Sequence, residues 1–267
     1  MVRVLVVNDL HVGSDVAIMP KNVNLGNGIR VKANGIQTHL YKQWQRMCDK
    51  VEPDVCICNG DLCDGNNPAD KGRGLWTADP ELQSDVAAEL LSMVDADAYH
   101  ITTGSDYHTG VRNGYNCDKM TADKLGGTFD DETILNYSGV RMHVRHETGY
   151  TKVPYTRSNP LNQDMVNTVL NNEEYGDIDV FLRAHTHYAH AVMWKYKLGI
   201  INGCWKYKDS FIRKRQNGSC DICYTVLDLD DGEYSFKMNK IDIPQNLGQC
   251  ISEHGVVERE RWYNKLH

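Results

Sequence analysis

The sequence predicts an α/β fold built around a largely parallel sheet. Three apolar segments, at 2–7, 54–59 and 98–103, have the length of strands, and the two segments between them have the periodicity of helices. This alternation is typical of parallel sheets with helices on their faces. The first segment is apolar at every position from Val4 to Val7, so we expect this strand to be buried on both faces.

Two amphipathic helices are expected between these strands. Their apolar residues recur at helical spacing, so one face of each helix can pack on the sheet. The apolar face over 36–51 consists of Leu40, Trp44, Met47 and Val51, and that over 80–94 of Leu82, Val86, Leu90 and Met93. Long loops at 12–35 and 63–79 follow the first two strands, and loops of this length are usually functional.

The second half of the sequence is expected to be richer in strands. After a short helix at 117–125, a hairpin is predicted across the tight turn Ser138-Gly139. Asn159 is expected to cap the following helix, with Pro160 at its first position. Strands are predicted at 133–137, 140–145, 179–183, 189–194, 198–202, 222–229 and 234–241.

The sequence predicts a single domain over residues 1–267. No repeat, low-complexity segment or linker divides the chain. Residues 244–267 show no clear periodicity, so we expect an irregular C-terminal tail.

The composition argues against several classes of protein. The chain has 267 residues and a net charge of −7, which disfavours a general nucleic-acid coat protein. No apolar run approaches the roughly 18 residues that a membrane span needs, so no membrane partner is expected. Nine cysteines without a signal-peptide pattern indicate reduced thiols and a cytoplasmic location.

The cysteines are expected to have structural roles. Cys56 and Cys58 lie inside an apolar run, which favours two small buried side chains. Cys220 and Cys223 form a single C-x-x-C motif. A structural zinc site there is the minor alternative, because no second pair stands at zinc-ribbon spacing.

Five segments lead to side chains that can bind metal ions. They lead to Asp9 and His11, to Asp61, to Asp106 and His108, to His146, and to His185 and His187. Any one of these segments alone would more often be structural, but five in succession are hard to explain by packing. In α/β sheets, ligands bind at the carboxyl ends of the strands, which is where these side chains are expected. Imidazole and carboxylate donors together favour Mn, Fe, Zn, Co or Ni, and six or seven ligands indicate two ions that share a carboxylate.

The order of these motifs resembles the calcineurin-like metallophosphoesterase superfamily. The D-x-H, G-D, G-x-x-x-H, single-His and H-x-H motifs follow one another between residue 4 and about residue 190. The resemblance implies a two-sheet β-sandwich flanked by helices, with the active site at the carboxyl ends of the strands. It also implies the ligand set: Asp9, His11 and His187 for the first ion, Asp61 as the bridge, and His146 and His185 for the second ion.

One motif departs from the family pattern. The family usually carries Gly-Asn-His, with the Asn on the second metal and the His facing the leaving group. This chain reads Gly104-Ser105-Asp106-Tyr107-His108 instead, which is similar to a loop of phage-type and archaeal members. The resemblance therefore implies His108 at the leaving-group position and makes Asp106 the candidate for the missing ligand.

Phosphoester hydrolysis accounts for these residue types. A water held between two cations loses a proton near neutral pH and can attack phosphorus, so Asp61 is expected to have a catalytic as well as a structural role. A protonated His108 would help the leaving oxygen to depart. Asn8, Asn59 and Asp64 are placed to orient the ligating imidazoles.

Two further segments concern the substrate. Tyr155, Arg157 and Asn159 precede a helix in a loop expected near the metals, where a guanidinium can hold a phosphate. An ordinary solvated loop explains them equally well. Residues 205–215 interleave basic and aromatic side chains, which suits nucleotides or single-stranded nucleic acid, or else an edge strand with its aromatics inside. The residues in question are Trp205, Lys206, Tyr207, Lys208, Phe211, Arg213, Lys214 and Arg215.

The sequence thus predicts a metal-dependent phosphoesterase, more specifically a hydrolase of nucleotide or nucleic-acid phosphodiesters. A phosphomonoesterase is one alternative. Another is a binding or scaffold protein that kept the fold without the chemistry, which the altered 104–108 loop motivates. A phosphoprotein phosphatase is less favoured, because the Gly-Asn-His-Glu motif is missing. The oligomeric state is left open.

Overall fold

The computed structural model describes residues 1–26, 28–66, 72–209 and 220–248. Within these ranges the strands are β1 Val2–Val7, β2 Asn22–Gly26, β3 Ile29–Lys32, β4 Val55–Asn59, β5 Ala98–Thr102, β6 Thr128–Asp130, β7 Glu132–Tyr137, β8 Val140–Arg145, β9 Val180–Arg183, β10 His190–Trp194, β11 Lys197–Ile201, β12 Ile222–Asp230 and β13 Glu233–Ile241. The helices are α1 Gly35–Lys50, α2 Pro80–Ser92, α3 Asp106–Thr109, α4 Cys117–Leu125, α5 Ser158–Leu170, α6 Asn172–Tyr175 and α7 Gln245–Gly248.

The strands form two large sheets. The first has the order β13-β12-β1-β4-β5-β6, in which β1, β4, β5 and β6 are parallel and β12 pairs antiparallel with β1. The second has the order β10-β11-β9-β8-β7, with a parallel centre and antiparallel edges. The largely parallel sheet predicted from the sequence is therefore present, extended by a C-terminal hairpin.

The two sheets pack face to face, and helices cover their outer faces. Val4 and Val6 of β1 lie in one apolar cluster with residues of the second sheet, among them Val180 of β9. Leu5 and Val7 face the other way and pack among residues of α1, α2 and α4. Because alternate side chains of a strand point to opposite faces, a strand covered on both faces must be apolar throughout. This confirms the two-sheet sandwich flanked by helices.

Most predicted elements are confirmed, with shifts of a residue or two at their ends. The hairpin turn is formed by Ser138 and Gly139, whose φ angles of 50° and 82° are those of a tight two-residue turn. The cap predicted at Asn159 is wrong, because the helix already begins at Ser158, after a 3-10 turn at Pro154–Thr156. The small β2–β3 hairpin inside the long first loop was not predicted.

The cysteines of β4 are buried, as expected. Cys56 and Cys58 are inaccessible to solvent. The C-x-x-C motif does not converge on one point, since the Cys223 thiol donates to the main-chain oxygen of Tyr224, whereas Cys220 lies beside Cys204. The groups of metal-competent side chains in the described ranges do not include these cysteines, so the zinc alternative gains no support there.

Some predictions concern residues outside the described ranges. They are the basic and aromatic residues Phe211, Arg213, Lys214 and Arg215, and the C-terminal tail beyond residue 248. In the part of the chain that the structure describes, no helix combines the length and apolarity needed to cross a membrane.

Candidate metal centre

Side chains that follow five strands of the two sheets, β1, β4, β5, β8 and β9, meet in one cluster. Three groups of side chains each bring three potential ligand atoms within 4.8 Å of one another. The groups overlap: His11 belongs to the first two and Asp61 to the last two. Their members are Asp9, His11 and His187; His11, Asp61 and His108; and Asp61, His146 and His185. The structure thus brings together all six residues that the family resemblance implies as ligands, and His108 with them.

The potential ligand atoms lie close to one another in both halves of the cluster. His11 Nε2 is 3.0 Å from His187 Nε2, and Asp9 Oδ1 is 3.2 Å from the same His187 atom. In the other half, His146 Nε2 lies 3.1 Å from Asp61 Oδ2. These side chains are all buried. Such a concentration of buried nitrogen and oxygen atoms is typical of a metal centre.

Left-handed backbone geometry directs these side chains to one point. Seven non-glycine residues of the described ranges have positive φ, and the two outside the cluster, Ser138 and Asp231, lie in hairpin turns. The other five are Asp9, His11, Asp61, His185 and His187, with φ between 47° and 71°. This conformation is costly for a residue with a Cβ atom, and it is tolerated chiefly at turns and functional sites. Its concentration at one cluster supports a functional site.

Hydrogen bonds fix the orientation of the potential ligands. Asn8 Nδ2 donates to Asp9 Oδ2 at 2.6 Å, and the main-chain N–H of Ser105 donates to Asp61 Oδ1 at 2.8 Å. His146 Nδ1 lies 2.7 Å from the main-chain oxygen of Asn59. A proton on Nδ1 leaves the Nε2 lone pair directed at the cluster, as metal-ligating histidines require. Asn59 therefore orients an imidazole as predicted, through its main-chain oxygen, whereas Asn8 orients the Asp9 carboxylate instead of an imidazole.

The unsatisfied atoms of the cluster fit divalent cations. Asp9 Oδ1 and His146 Nε2 are buried and make no aligned hydrogen bond. Leaving such atoms unpaired is costly, and cations bound at the cluster would satisfy them. Imidazole and carboxylate donors without thiolates suit Mn, Fe, Zn, Co and Ni.

The electrostatics of the cluster also favour positive charge. Burial alone would lower the pKa of His146, but the adjacent Asp61 carboxylate raises it to about 10. Burial likewise opposes the ionisation of Asp61, yet His146 and His108 hold its pKa well below the usual range. The carboxylates are thus ionised at neutral pH and attract positive charge, which a divalent metal ion can supply in place of protons.

His108 is held at the cluster by a ring contact with His11 and by a contact with the main chain of Asp64. Its ring centre is 4.4 Å from that of His11 in an edge-to-face arrangement, and its Nδ1 lies 2.7 Å from the main-chain oxygen of Asp64. Burial and the nearby His11 lower the pKa of His108 to about 4, so its imidazole is neutral at physiological pH. This geometry is compatible with the predicted position of His108 beside the leaving group. Because its pKa is lowered, His108 is not protonated before a substrate binds.

Asp64 connects several groups of the site. Its Oδ1 lies 2.9 Å from His11 Nδ1 and accepts a hydrogen bond of 2.8 Å from the buried ammonium of Lys206. Burial raises the pKa of Asp64, but Lys206 and His11 outweigh it and hold the carboxyl well below its usual pKa. Asp64 therefore orients His11, as predicted from the sequence. The role of Lys206 was not predicted, because 142 residues separate the two side chains in the sequence.

A second residue that sequence reasoning missed is Asp118 on α4. Its buried carboxylate accepts hydrogen bonds from the main-chain N–H groups of Asp61 at 3.2 Å, Leu62 at 2.9 Å and Gly104 at 2.7 Å. Burial, together with the nearby Asp61, raises the pKa of Asp118 to about 6. Asp118 thus holds the loop after β4 against the loop after β5. No periodicity or motif in the sequence marks this contact.

Close packing of two glycines sets the distance between these loops. A Cβ atom on Gly60 would lie 2.5 Å from His146 Nδ1 and 2.7 Å from the Cα atom of Gly104. A Cβ atom on Gly104 would overlap the main-chain nitrogen and the carboxylate of Asp61. Only glycine therefore allows Asp61 to adopt its position.

We expect Gly104→Ala to displace Asp61 and to lower the metal-dependent activity predicted from the sequence by about 10²-fold, since displacements near 1 Å have effects of this size. Weaker Mn²⁺ binding, measured by calorimetry, should accompany the loss. Gly35→Ala is the matched control, because its Cβ would meet only the end of the flexible Leu247 side chain, at 3.0 Å. Equal metal affinity in the two variants would contradict the expected displacement.

The structure does not bring Asp106 into the cluster. This side chain begins α3, is exposed and lies 3.6 Å from Arg112, so its prediction as a ligand is not supported. The neighbouring Ser105 faces Asp61 instead, donating from both its main-chain nitrogen and its hydroxyl. The short helix turns Asp106 outward, and helix formation over residues 106–109 was not predicted.

The predicted substrate residues are placed differently from one another. Tyr155 and Asn159 are exposed, so they do not belong to the buried cluster. Arg157 is half-buried, and its guanidinium lies 4.7 Å from the ring centre of Tyr188, the residue that follows His187. Of the three, Arg157 is the one placed beside a cluster segment.

Residues 205–207 are not an exposed basic surface. Trp205 is fully buried, with its ring centre 4.8 Å from that of Trp44. Lys206 is also buried and pairs with Asp64 and Asp209. The alternative of aromatics directed inward is therefore correct for Trp205, and the nucleic-acid interpretation loses two of its residues.

Comparison with known proteins gives structural neighbours only. No protein-family model and no curated protein matches the chain. Vps29 from Entamoeba histolytica, complexed with zinc, is 13% identical with a TM-score of 0.48 over 90% of this chain and 98% of its own. An archaeal phosphodiesterase is 13% identical with a TM-score of 0.47 over 89% and 99% of the two chains.

A predicted phosphoesterase from Streptococcus pneumoniae is 12% identical with a TM-score of 0.39, over 90% of this chain and 89% of its own.

Proposed function

We propose that the chain is a metal-dependent phosphodiesterase that uses two divalent metal ions, with manganese as the first candidate. The overlap of the three side-chain groups is the observation that carries this proposal. The first and third groups share no residue, but His11 of the first and Asp61 of the third meet again in the second group, so the cluster has room for two neighbouring ions. Asp9, His11 and His187 would hold one ion, His146 and His185 the other, and Asp61 both.

Bound ions would activate water and neutralise charge on the phosphoryl oxygens. The chain's own residues have separate tasks. His108 keeps a proton on Nδ1 through its contact with the Asp64 main-chain oxygen, so its Nε2 atom is free to face the substrate. A bound phosphate dianion or diester anion would favour the protonated imidazole, which could then supply a proton to the leaving oxygen. Burial of Asp9, His11 and Asp61 limits the access of bulk water to the carboxylate side of the cluster.

A scaffold protein without catalysis is the main alternative. The altered 104–108 loop favours it, because Ser105 hydrogen-bonds to Asp61 where the family usually places an Asn ligand. Against it, five residues of the cluster hold costly left-handed conformations that a scaffold would not require. A phosphomonoesterase is the second alternative, and the placement of Arg157 beside Tyr188 is compatible with either class of ester.

Hydrolysis of bis(p-nitrophenyl) phosphate by the purified protein tests the proposal. We expect turnover that requires added Mn²⁺ and stops with a chelator. p-Nitrophenyl phosphate, assayed in parallel, distinguishes a phosphomonoesterase. Metal analysis after expression in metal-rich medium identifies a scaffold, for which no bound metal and no turnover of either ester would be found.

A further inference from the structure

Two cysteine thiols near the candidate metal centre lie in direct contact. Cys204 Sγ is 3.4 Å from Cys220 Sγ. Both thiols also lie close to the main-chain oxygen of Lys206, at 3.0 Å and 2.9 Å, as hydrogen-bond donors to the same acceptor. Cys204 is fully buried, whereas Cys220 is half-buried. Cys220 is therefore the residue of the pair that reaches the solvent, and Cys204 is the one that does not.

In the described ranges, two other pairs of neighbouring thiols are buried from solvent. Cys63 and Cys117 are both buried, as are Cys56 and Cys58, whose Sγ atoms are 3.7 Å apart. Cys56 and Cys58 stand two residues apart on β4, and that spacing separates Cα atoms by about 6.6 Å, near the upper limit for a disulfide. Exchange with an external reagent is therefore favoured at the half-buried pair.

We propose that Cys204 and Cys220 are a site of reversible oxidation, at which thiol–disulfide exchange with a small-molecule disulfide such as oxidised glutathione forms an intramolecular disulfide. Cys220, as its thiolate, attacks one sulfur of the reagent and releases one glutathione thiolate. Cys204, after losing its proton to solvent, attacks the Cys220 sulfur and releases the second. Two protein thiols are oxidised and one glutathione disulfide is reduced to two thiols.

The order of attack follows from the surroundings of the two thiols. Burial, together with the neighbouring Cys220, raises the pKa of Cys204 well above its ordinary value. Cys204 therefore stays protonated and reacts second, once the mixed disulfide lies against it. The accessible Cys220 is the thiol that meets the reagent.

Oxidation would reach the candidate metal centre through Lys206. The disulfide removes both S–H donors from the Lys206 main-chain oxygen. The Lys206 ammonium lies 2.8 Å from Asp64 Oδ1, which in turn lies 2.9 Å from His11 Nδ1. Movement of Lys206 would therefore disturb the orientation of a potential metal ligand. This second part of the inference rests on the proposed metal centre.

Intact mass spectrometry of the full chain after incubation with oxidised glutathione tests the disulfide itself. We expect the protein to lose the mass of two hydrogen atoms, to regain it with dithiothreitol, and to yield a cross-linked peptide containing Cys204 and Cys220. Cys220→Ser should abolish the change. Cys48→Ser is the matched control, since Cys48 is also half-buried but has no thiol within hydrogen-bond distance in the described ranges. No mass loss, or a cross-link elsewhere, would overturn the proposal.

Calorimetric titration with Mn²⁺ tests the coupling. Changes around ligating histidines typically alter metal affinity by 10- to 100-fold, so we expect the oxidised protein to bind Mn²⁺ about tenfold more weakly than the reduced protein. Equal affinities would remove the coupling and leave the disulfide in place. If the reduced protein bound no metal, both the proposed centre and the coupling would be wrong, while the mass measurement would still decide the disulfide.

Discussion

Asp61→Asn is expected to lower the proposed metal-dependent phosphodiester hydrolysis by roughly 10³-fold or more, because one substitution would impair both of the proposed ion sites. Asp61 is common to two of the three side-chain groups, and its Oδ2 lies 3.1 Å from His146 Nε2. The amide is neutral and presents one oxygen instead of two. The measurement is the rate of bis(p-nitrophenyl) phosphate hydrolysis at saturating Mn²⁺, together with metal content after dialysis.

Asp106→Asn is the matched control for this variant. It makes the same chemical change near the same loops, but on an exposed side chain that lies 3.6 Å from Arg112. We expect activity and metal content like those of the unchanged protein. A large loss in Asp106→Asn would return Asp106 to the ligand set, and full activity in Asp61→Asn would remove Asp61 from it.

The positions of the potential ligands could be predicted because each follows an apolar strand. Strand identity is encoded locally, by runs such as Val4 to Val7, and parallel strands of a sheet present their carboxyl ends at one edge. Once the strands at Asp9 and Asp61 are predicted, the meeting of those two side chains follows from topology. The convergence of His146 and His185 from the second sheet was implied by the family resemblance alone.

The supporting contacts could not be predicted, because they depend on tertiary packing. Asp118 and Leu62 are 56 residues apart, and Lys206 and Asp64 are 142 residues apart, with no periodic pattern to join them. The left-handed conformations of the candidate ligand residues could not be predicted either, since neither aspartate nor histidine requires positive φ. Asp106 was misplaced because the short α3 turns it outward, and four residues are too few to give a helical period.

Asp118→Ala is expected to lower the free energy of unfolding by about 3–5 kcal/mol. The substitution leaves three main-chain N–H groups without their acceptor, at Asp61, Leu62 and Gly104. Each unpaired buried donor costs about 1–3 kcal/mol, and water entering the space vacated by the carboxylate would offset part of the sum. Urea denaturation in the presence of a chelator measures this effect without any contribution from bound metal.

Asp123→Ala is the control on the same helix. Asp123 is exposed and pairs with Lys119 at 2.9 Å, and such surface pairs contribute at most about 1 kcal/mol. Asp118→Asn is a second test if the alanine variant does not fold, because the amide keeps one acceptor oxygen. Its free energy of unfolding should lie between those of Asp118→Ala and Asp123→Ala. An unfolding free energy for Asp118→Ala equal to that of Asp123→Ala would show that the carboxylate does not hold the two loops.

Mn²⁺ affinity then distinguishes a variant that is only less stable from one in which the candidate metal centre itself is disturbed. Asp118 bonds to the main chain of Asp61 itself, so loosening this loop should weaken Mn²⁺ binding even at temperatures where Asp118→Asn is fully folded. Binding that changes in Asp118→Asn but not in Asp123→Ala would identify Asp118 as a positioning residue for Asp61. If Asp118→Asn lost stability yet bound Mn²⁺ as tightly as the unchanged protein, Asp118 would contribute to folding alone.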